Sequence, residues 1–146
     1  MYFTRKTETV LTVLATCAGR AGCSLALWEI SQAGSVGAEE IKRSVSLLLR
    51  HGLLERGLDG RVTLTIDPGA VTLGTILHLT QPNLARPRRR GIRPMNNGVF
   101  ALVVDAASSN FLRIAEQFTV ADFLADRRSA EHYAGDCYST AHNARP

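Results

Sequence analysis

Apolar residues recur at steps of three and four along most of this chain, and at steps of two in one short stretch. Over residues 7–19 the helical spacing is carried by Val10, Leu11, Leu14, Ala15 and Ala18, and it ends near Gly19. A shorter segment, 25–33, holds Leu25, Leu27, Trp28 and Ile30, with Ser24 placed to cap it and Gly34 to break it. A third, 37–51, sets Ile41, Val45, Leu48 and Leu49 on one face. Lys42, Arg43, Ser46 and Arg50 face largely elsewhere, and Gly52 is a natural stop. Then the rhythm changes. Val62, Leu64 and Ile66 alternate with Thr63 and Thr65, the period of a half-buried strand. Asp59-Gly60 is a hairpin-turn signal, and residues 53–56 supply the partner strand.

Three helices followed by a hairpin is the order of a winged helix–turn–helix, with the hairpin as the wing. Beyond Pro68, Leu73, Ile76 and Leu77 predict a short helix over 72–79. Residues 97–118 then place Phe100, Val103, Val104, Ala107, Phe111, Ile114, Ala115 and Phe118 at helical steps. A long helix with one apolar face, on a chain whose core lies upstream, predicts a homodimer contact through Phe100, Val103, Val104, Ala107, Phe111 and Ile114. "TVADFL", 119–124, reads as a capped terminal turn with Thr119 as N-cap and Asp122 three residues on. The expected fold class is mainly α: a winged helix-turn-helix with a long C-terminal dimerisation helix. Its expected parts are a reader over 1–79, a basic loop over 80–96, the dimerisation helix and terminal turn over 97–126, and a flexible polar tail over 127–146.

Charge changes this picture in one place. The chain has 146 residues, 45% of them hydrophobic, and a formal net charge of +4. Arg86, Arg88, Arg89, Arg90 and Arg93 crowd into eight positions, with Pro87 among them and Pro94 just after, so the remainder sits near neutrality. Basicity that local suits a second phosphate contact, a pocket for a small anionic effector, or an inert solvated linker. The apolar run Val10–Ala18 is too short to span a bilayer, and no leader-like layout precedes it. Three cysteines, Cys17, Cys23 and Cys137, form no CxxC pair, and the odd count argues against a disulfide framework. A cytoplasmic protein without membrane contact is the expectation.

Four stretches in order carry a resemblance: "FTRKTETVLTVL", "LALWEISQAGSVGAEEIKRSVSLLLRHGLL", "RGLDGRVTL" and "FLRIAEQFTVADFL". Together they span residues 1–126, and the chain resembles the BadM/Rrf-type winged-helix regulators of bacteria. The resemblance implies a homodimer that binds double-stranded operator DNA, its long helix crossing the interface. It implies phosphate contacts at Thr4, Arg5 and Lys6 and a groove-facing helix start at Gly37, Ala38, Glu39, Glu40, Lys42 and Arg43. It also implies a wing contact through Arg56, Gly57, Gly60 and Arg61. Side-chain chemistry agrees in part, because arginine can pair with guanine O6 and N7, and arginine suits a narrow minor groove.

Three departures matter. Glu39-Glu40 puts two carboxylates at the helix start, where the helix dipole favours them whatever the function. The first strand of the wing is about two residues short. Residues 80–98 contain no cysteine, whereas cluster-binding relatives carry three there. Guanidinium groups cannot replace thiolates as ligands. The expectation is a transcription repressor with no cofactor. The alternatives are a winged-helix protein-interaction module that no longer reads DNA, and a sensor whose atypical metal or cluster site draws on Glu8, the cysteines or the tail residues His132, Cys137 and His142. That tail spacing matches no structural zinc pattern. No nucleophile–base order or phosphate-binding loop points to an enzyme.

Overall fold

The computed structural model describes residues 3–85 and 98–130. Helix α1 (Arg5–Gly19) starts at Thr4, whose hydroxyl accepts from the Thr7 amide at 3.3 Å. Its threonines cost the helix little, because Thr9, Thr12 and Thr16 each donate to the carbonyl four residues back. Helix α2 (Leu27–Gly34) begins two residues later than the sequence suggested, and Ser24 does not cap it. Leu25 is held in a bridge to Val62 by two backbone hydrogen bonds of 2.8 Å, so the chain stays extended to Ala26. There the Glu29 carboxylate accepts from the Ala26 amide at 2.6 Å. Ser35, in the left-handed conformation, closes α2, and α3 (Ala38–Arg50) follows after Gly37.

The wing is small. Strands β1 (Leu54–Arg56) and β2 (Val62–Leu64) pair antiparallel, with Leu54 opposite Leu64 and Arg56 opposite Val62. Ile66, expected in the second strand, lies just beyond it. A single 3₁₀ turn, Pro68–Ala70, leads into α4 (Leu73–Thr80), for which Thr72 is the N-cap and not the first helical residue, and then α5 (Pro82–Ala85). Helix α6 (Gly98–Ala115) ends three residues short of the expected boundary. Phe118 has left it: its carbonyl accepts from the Leu73 amide at 2.7 Å, and the Val120 amide reaches Val71 O at 2.9 Å. Thr119 and Asp122 form the predicted cap, but the helix they open, α7 (Val120–Ala130), is longer than a turn and covers the first residues of the expected tail.

One core unites these parts. Val10, Val13, Leu14, Ile30, Ile41, Val45, Leu48, Val62, Ile76 and Val120 are fully or almost fully buried in it. Val120 belongs to the same core as α1, α3 and the wing, so the terminal helix packs as part of it. Cys17 is buried in it and free. Ile41 anchors α3 beneath its solvent face. Ile41→Ala is expected to lower stability by about 2–5 kcal/mol, read as a fall in the urea midpoint with unchanged slope.

Candidate nucleic-acid interface

Helix α3 divides cleanly by its period. Ile41, Ser44, Val45 and Leu48 face the core. Glu39, Lys42, Arg43, Ser46 and Arg50 lie together on the exposed side. Gly37 and Ala38 open the helix in the exposed segment before them. The Ser46 hydroxyl donates back to Lys42 O at 2.8 Å, which leaves Lys42, Arg43 and Arg50 as the cationic content of that side. Arg50 was legible as a member of this face from its spacing to Arg43 and Ser46, and the resemblance did not include it.

Glu40 stands apart from Glu39. Its carboxylate pairs with Arg5 Nε at 2.9 Å, tying the start of α1 to the start of α3. Two expected contacts thus hold each other, and a carboxylate that looked unfavourable for an anionic ligand is neutralised. The pair is exposed and of small energetic weight. Thr4 serves as the α1 cap, and Lys6 is exposed on the first turn of α1.

The wing departs from expectation at Arg61. Its Nη2 meets the Glu29 carboxylate at 2.7 Å and its Nε donates to Ser24 O at 3.2 Å. The same Glu29 oxygen accepts from the Ala26 amide. Arg61 is therefore a brace between the wing and the start of α2, and Glu29, which the sequence did not single out, is its anchor. Arg56 is exposed. The turn between the strands closes on itself: Gly57 N–H donates to Arg61 O at 2.9 Å, and Gly60 N–H to Gly57 O at 3.0 Å. Gly60 sits at φ +79°, which favours glycine.

The expected dimer residues split into two sets. Val104 and Phe111 are half-buried toward their own chain, with Phe111 6.0 Å from the Phe3 ring. Phe100, Val103, Ala107 and Ile114 are exposed. Val99 and Leu102 join them, and among the residues of α6 only Ala115 is buried. Helix α6 is long and apolar enough to cross a membrane by length and composition. It also carries Asp105, Ser108, Ser109, Asn110 and Arg113. An open cleft of about 390 Å³ lies near its end, lined by Phe3, Leu11, Leu73, Ile76, Phe118 and Phe123 among others. Asp122 stands at its rim, its carboxyl held below the ordinary value by hydrogen bonds from the Thr119 backbone and hydroxyl. Trp28, one of the apolar members of the second helical segment, is 62% exposed on the first turn of α2.

Arg86, Arg88, Arg89, Arg90 and Arg93, and the tail residues His132, Cys137 and His142, lie outside the described residues. The donors that are described do not fit an iron–sulfur cluster. Burial pushes the Cys17 thiol up to about 11, against the thiolate a metal needs. Glu8 is an exposed carboxylate on α1. Among the described residues no three His, Cys, Asp or Glu side chains come together as a metal site.

Helix order, the hydrogen-bonded stub at Leu25, the two-stranded wing and the long following helix define a winged helix-turn-helix protein. Solved structures share this fold. CymR, the global cysteine regulator of B. subtilis, matches with a TM-score of 0.70 at 17% identity, over 86% of this chain and 97% of that one. The oxidized form of Staphylococcus aureus CymR gives 0.70 at 15% identity, over 85% and 96%. T. potens IscR gives 0.67 at 18% identity, over 92% and 94%. At such identities the likeness is one of fold. No family model matches the sequence, and no curated protein matches it.

Proposed function

We propose that this chain is a homodimeric, sequence-specific DNA-binding transcription regulator of the BadM/Rrf type, acting in the cytoplasm as a repressor and without an iron–sulfur cluster. The observation that carries this reading is the solvent side of α3, where Lys42, Arg43 and Arg50 stand exposed on a helix whose other side is locked into the core. A rigid helix with free guanidinium groups can enter a major groove and hold base edges. The structures it resembles include regulators, which supports the same assignment. Exposed apolar residues along α6 support pairing with a second copy. A dimer that covers its operator can block transcription by occupancy alone, which is why repression is favoured. The cluster-free reading rests on the missing cysteines of 80–98 and the unsuitable donors described above. A small anionic effector at the arginine run remains part of the proposal.

Selection of duplexes from a random-sequence pool by the full-length protein, followed by gel shift in a salt series, tests this. Tight binding should come with a shared motif of two half-sites roughly 34–36 Å apart. Binding without sequence preference, or none at moderate salt, overturns the regulator reading and leaves the interaction module. Iron in the protein purified without oxygen overturns the cluster-free part.

Arg61 and Arg56 make separable predictions in that series. Arg56→Ala is expected to flatten the slope of log affinity against log salt by about one, the signature of a lost phosphate contact. Arg61→Ala should leave the slope as it is and lower the affinity through a loosened wing. Equal flattening by both changes would show that Arg61 leaves Glu29 to touch DNA.

A further inference from the structure

Leu58 occupies the apex of the wing and is more open than in an extended peptide, at 111% relative exposure. An exposed leucine is ordinary in itself. Its mounting is not. Three backbone N–H groups close the turn on itself: Gly57 N–H donates to Arg61 O, Gly60 N–H to Gly57 O, and Arg61 N–H to the Asp59 carboxylate at 3.1 Å. Asp59, the acidic neighbour that would repel a phosphate backbone, is thereby held at the turn's own backbone. Beside the exposed Asp59, what the apex offers outward is an isobutyl group.

Behind the apex the wing is braced on both sides. Strand β2 is fastened to Leu25 by two 2.8 Å hydrogen bonds, and Arg61 ties the root of the loop to Glu29 and Ser24. Each strand is three residues, so the wing is only about 10 Å long. A wing that short presents its apex to a neighbouring groove. Arg56 is exposed at the end of β1, beside that apex, where a guanidinium can take a flanking phosphate or the groove floor.

We propose that Leu58 is a minor-groove wedge: its side chain enters between two base pairs at the outer part of the half-site and bends the duplex. The proposal rests on the DNA-binding reading above and goes beyond it. Apolar side chains of this type part base steps, and the step they part must yield. Pyrimidine–purine steps yield most readily, so Leu58 would select a TA or CA step without any hydrogen bond to it. The brace matters because prying a step open pushes back on the side chain, and a floppy hairpin would fold away.

The test uses the full-length protein and a selected duplex of about 30 base pairs, labelled at both ends for energy transfer and carrying 2-aminopurine at the candidate step. Wild type is expected to shorten the end-to-end distance and to raise 2-aminopurine fluorescence at one step in each half-site. Leu58→Ala should abolish both signals and weaken binding by about tenfold, with the salt slope unchanged. Leu58→Met, long and apolar, should keep most of the bend. Wild-type binding without bending, or a Leu58→Ala protein that binds and bends like wild type, overturns the wedge and leaves the DNA-binding reading standing. Failure of wild type to select any duplex removes both. Since Leu58 makes no contribution to the core, a circular-dichroism melt of Leu58→Ala should coincide with that of wild type.

Discussion

Val103→Glu is expected to turn a dimer into monomers and, with it, to lose operator binding. Val103 is 59% exposed in the isolated chain, on the side of α6 that turns away from the reader. The helix is 18 residues long, about 27 Å, and its outer side carries Val99, Phe100, Leu102, Val103 and Ile114. A patch of that size suits contact with another protein surface better than water. Two copies brought together there place each Val103 near the other protomer, so one substitution buries two carboxylates without cations. An uncompensated buried charge costs about 3–5 kcal/mol, enough to raise the dimer dissociation constant by about a hundredfold or more. Sedimentation equilibrium should show the shift. Gel shift on a two-half-site duplex should show weakened binding, because each monomer then meets its half-site alone. Val104→Glu is a control of different character: Val104 is half-buried against its own chain, so its main expected effect is a lower melting temperature. A Val103→Glu protein that stays dimeric would place the interface elsewhere on the molecule.

The winged helix-turn-helix was legible in the sequence because periodicity and core coincide there. Ile41, Val45 and Leu48 are read from spacing alone and are buried as read. Thr119 was legible as a cap because its chemistry is local. What escaped was set by contacts distant in sequence. Ser24 has the right chemistry for a cap, but Val62, far along the chain, holds Leu25 extended and moves the helix start to Leu27. Phe118 continues the apolar period of α6, yet Leu73 captures its carbonyl and the helix stops. Arg61 illustrates the same limit for function. From the sequence it is one more cation in a basic wing, and only the fold brings Glu29 to it. The long stripe of α6 was visible, but a period of 3.6 does not tell which edge faces the parent domain and which faces outward, so Val104 and Phe111 were grouped with Val103 and Ile114.

Arg43→Ala should cost the protein its discrimination at one base position, and Lys42→Ala should cost it affinity at all sequences alike. The two residues are adjacent and both exposed on α3, one turn from its start, where a recognition helix meets base edges. Their side chains differ in what they can do. A guanidinium fork fits guanine O6 and N7 with two hydrogen bonds, worth about 1–3 kcal/mol against the wrong base. An ammonium is a point charge without that geometry and suits a phosphate. Duplexes varied singly at each position of the selected motif should therefore bind Arg43→Ala with nearly equal affinity at one guanine, and with wild-type preferences elsewhere. Lys42→Ala should keep the motif intact while flattening the salt slope by about one. Glu40 enters the same argument through Arg5. Removing that carboxylate with Glu40→Gln frees a guanidinium at the edge of the site, so binding should tighten modestly and the slope should steepen, the reverse of the Lys42 effect. If Arg43→Ala instead loses affinity uniformly, its guanidinium rests on the backbone, and base reading falls to Glu39 or Arg50 on the same exposed side.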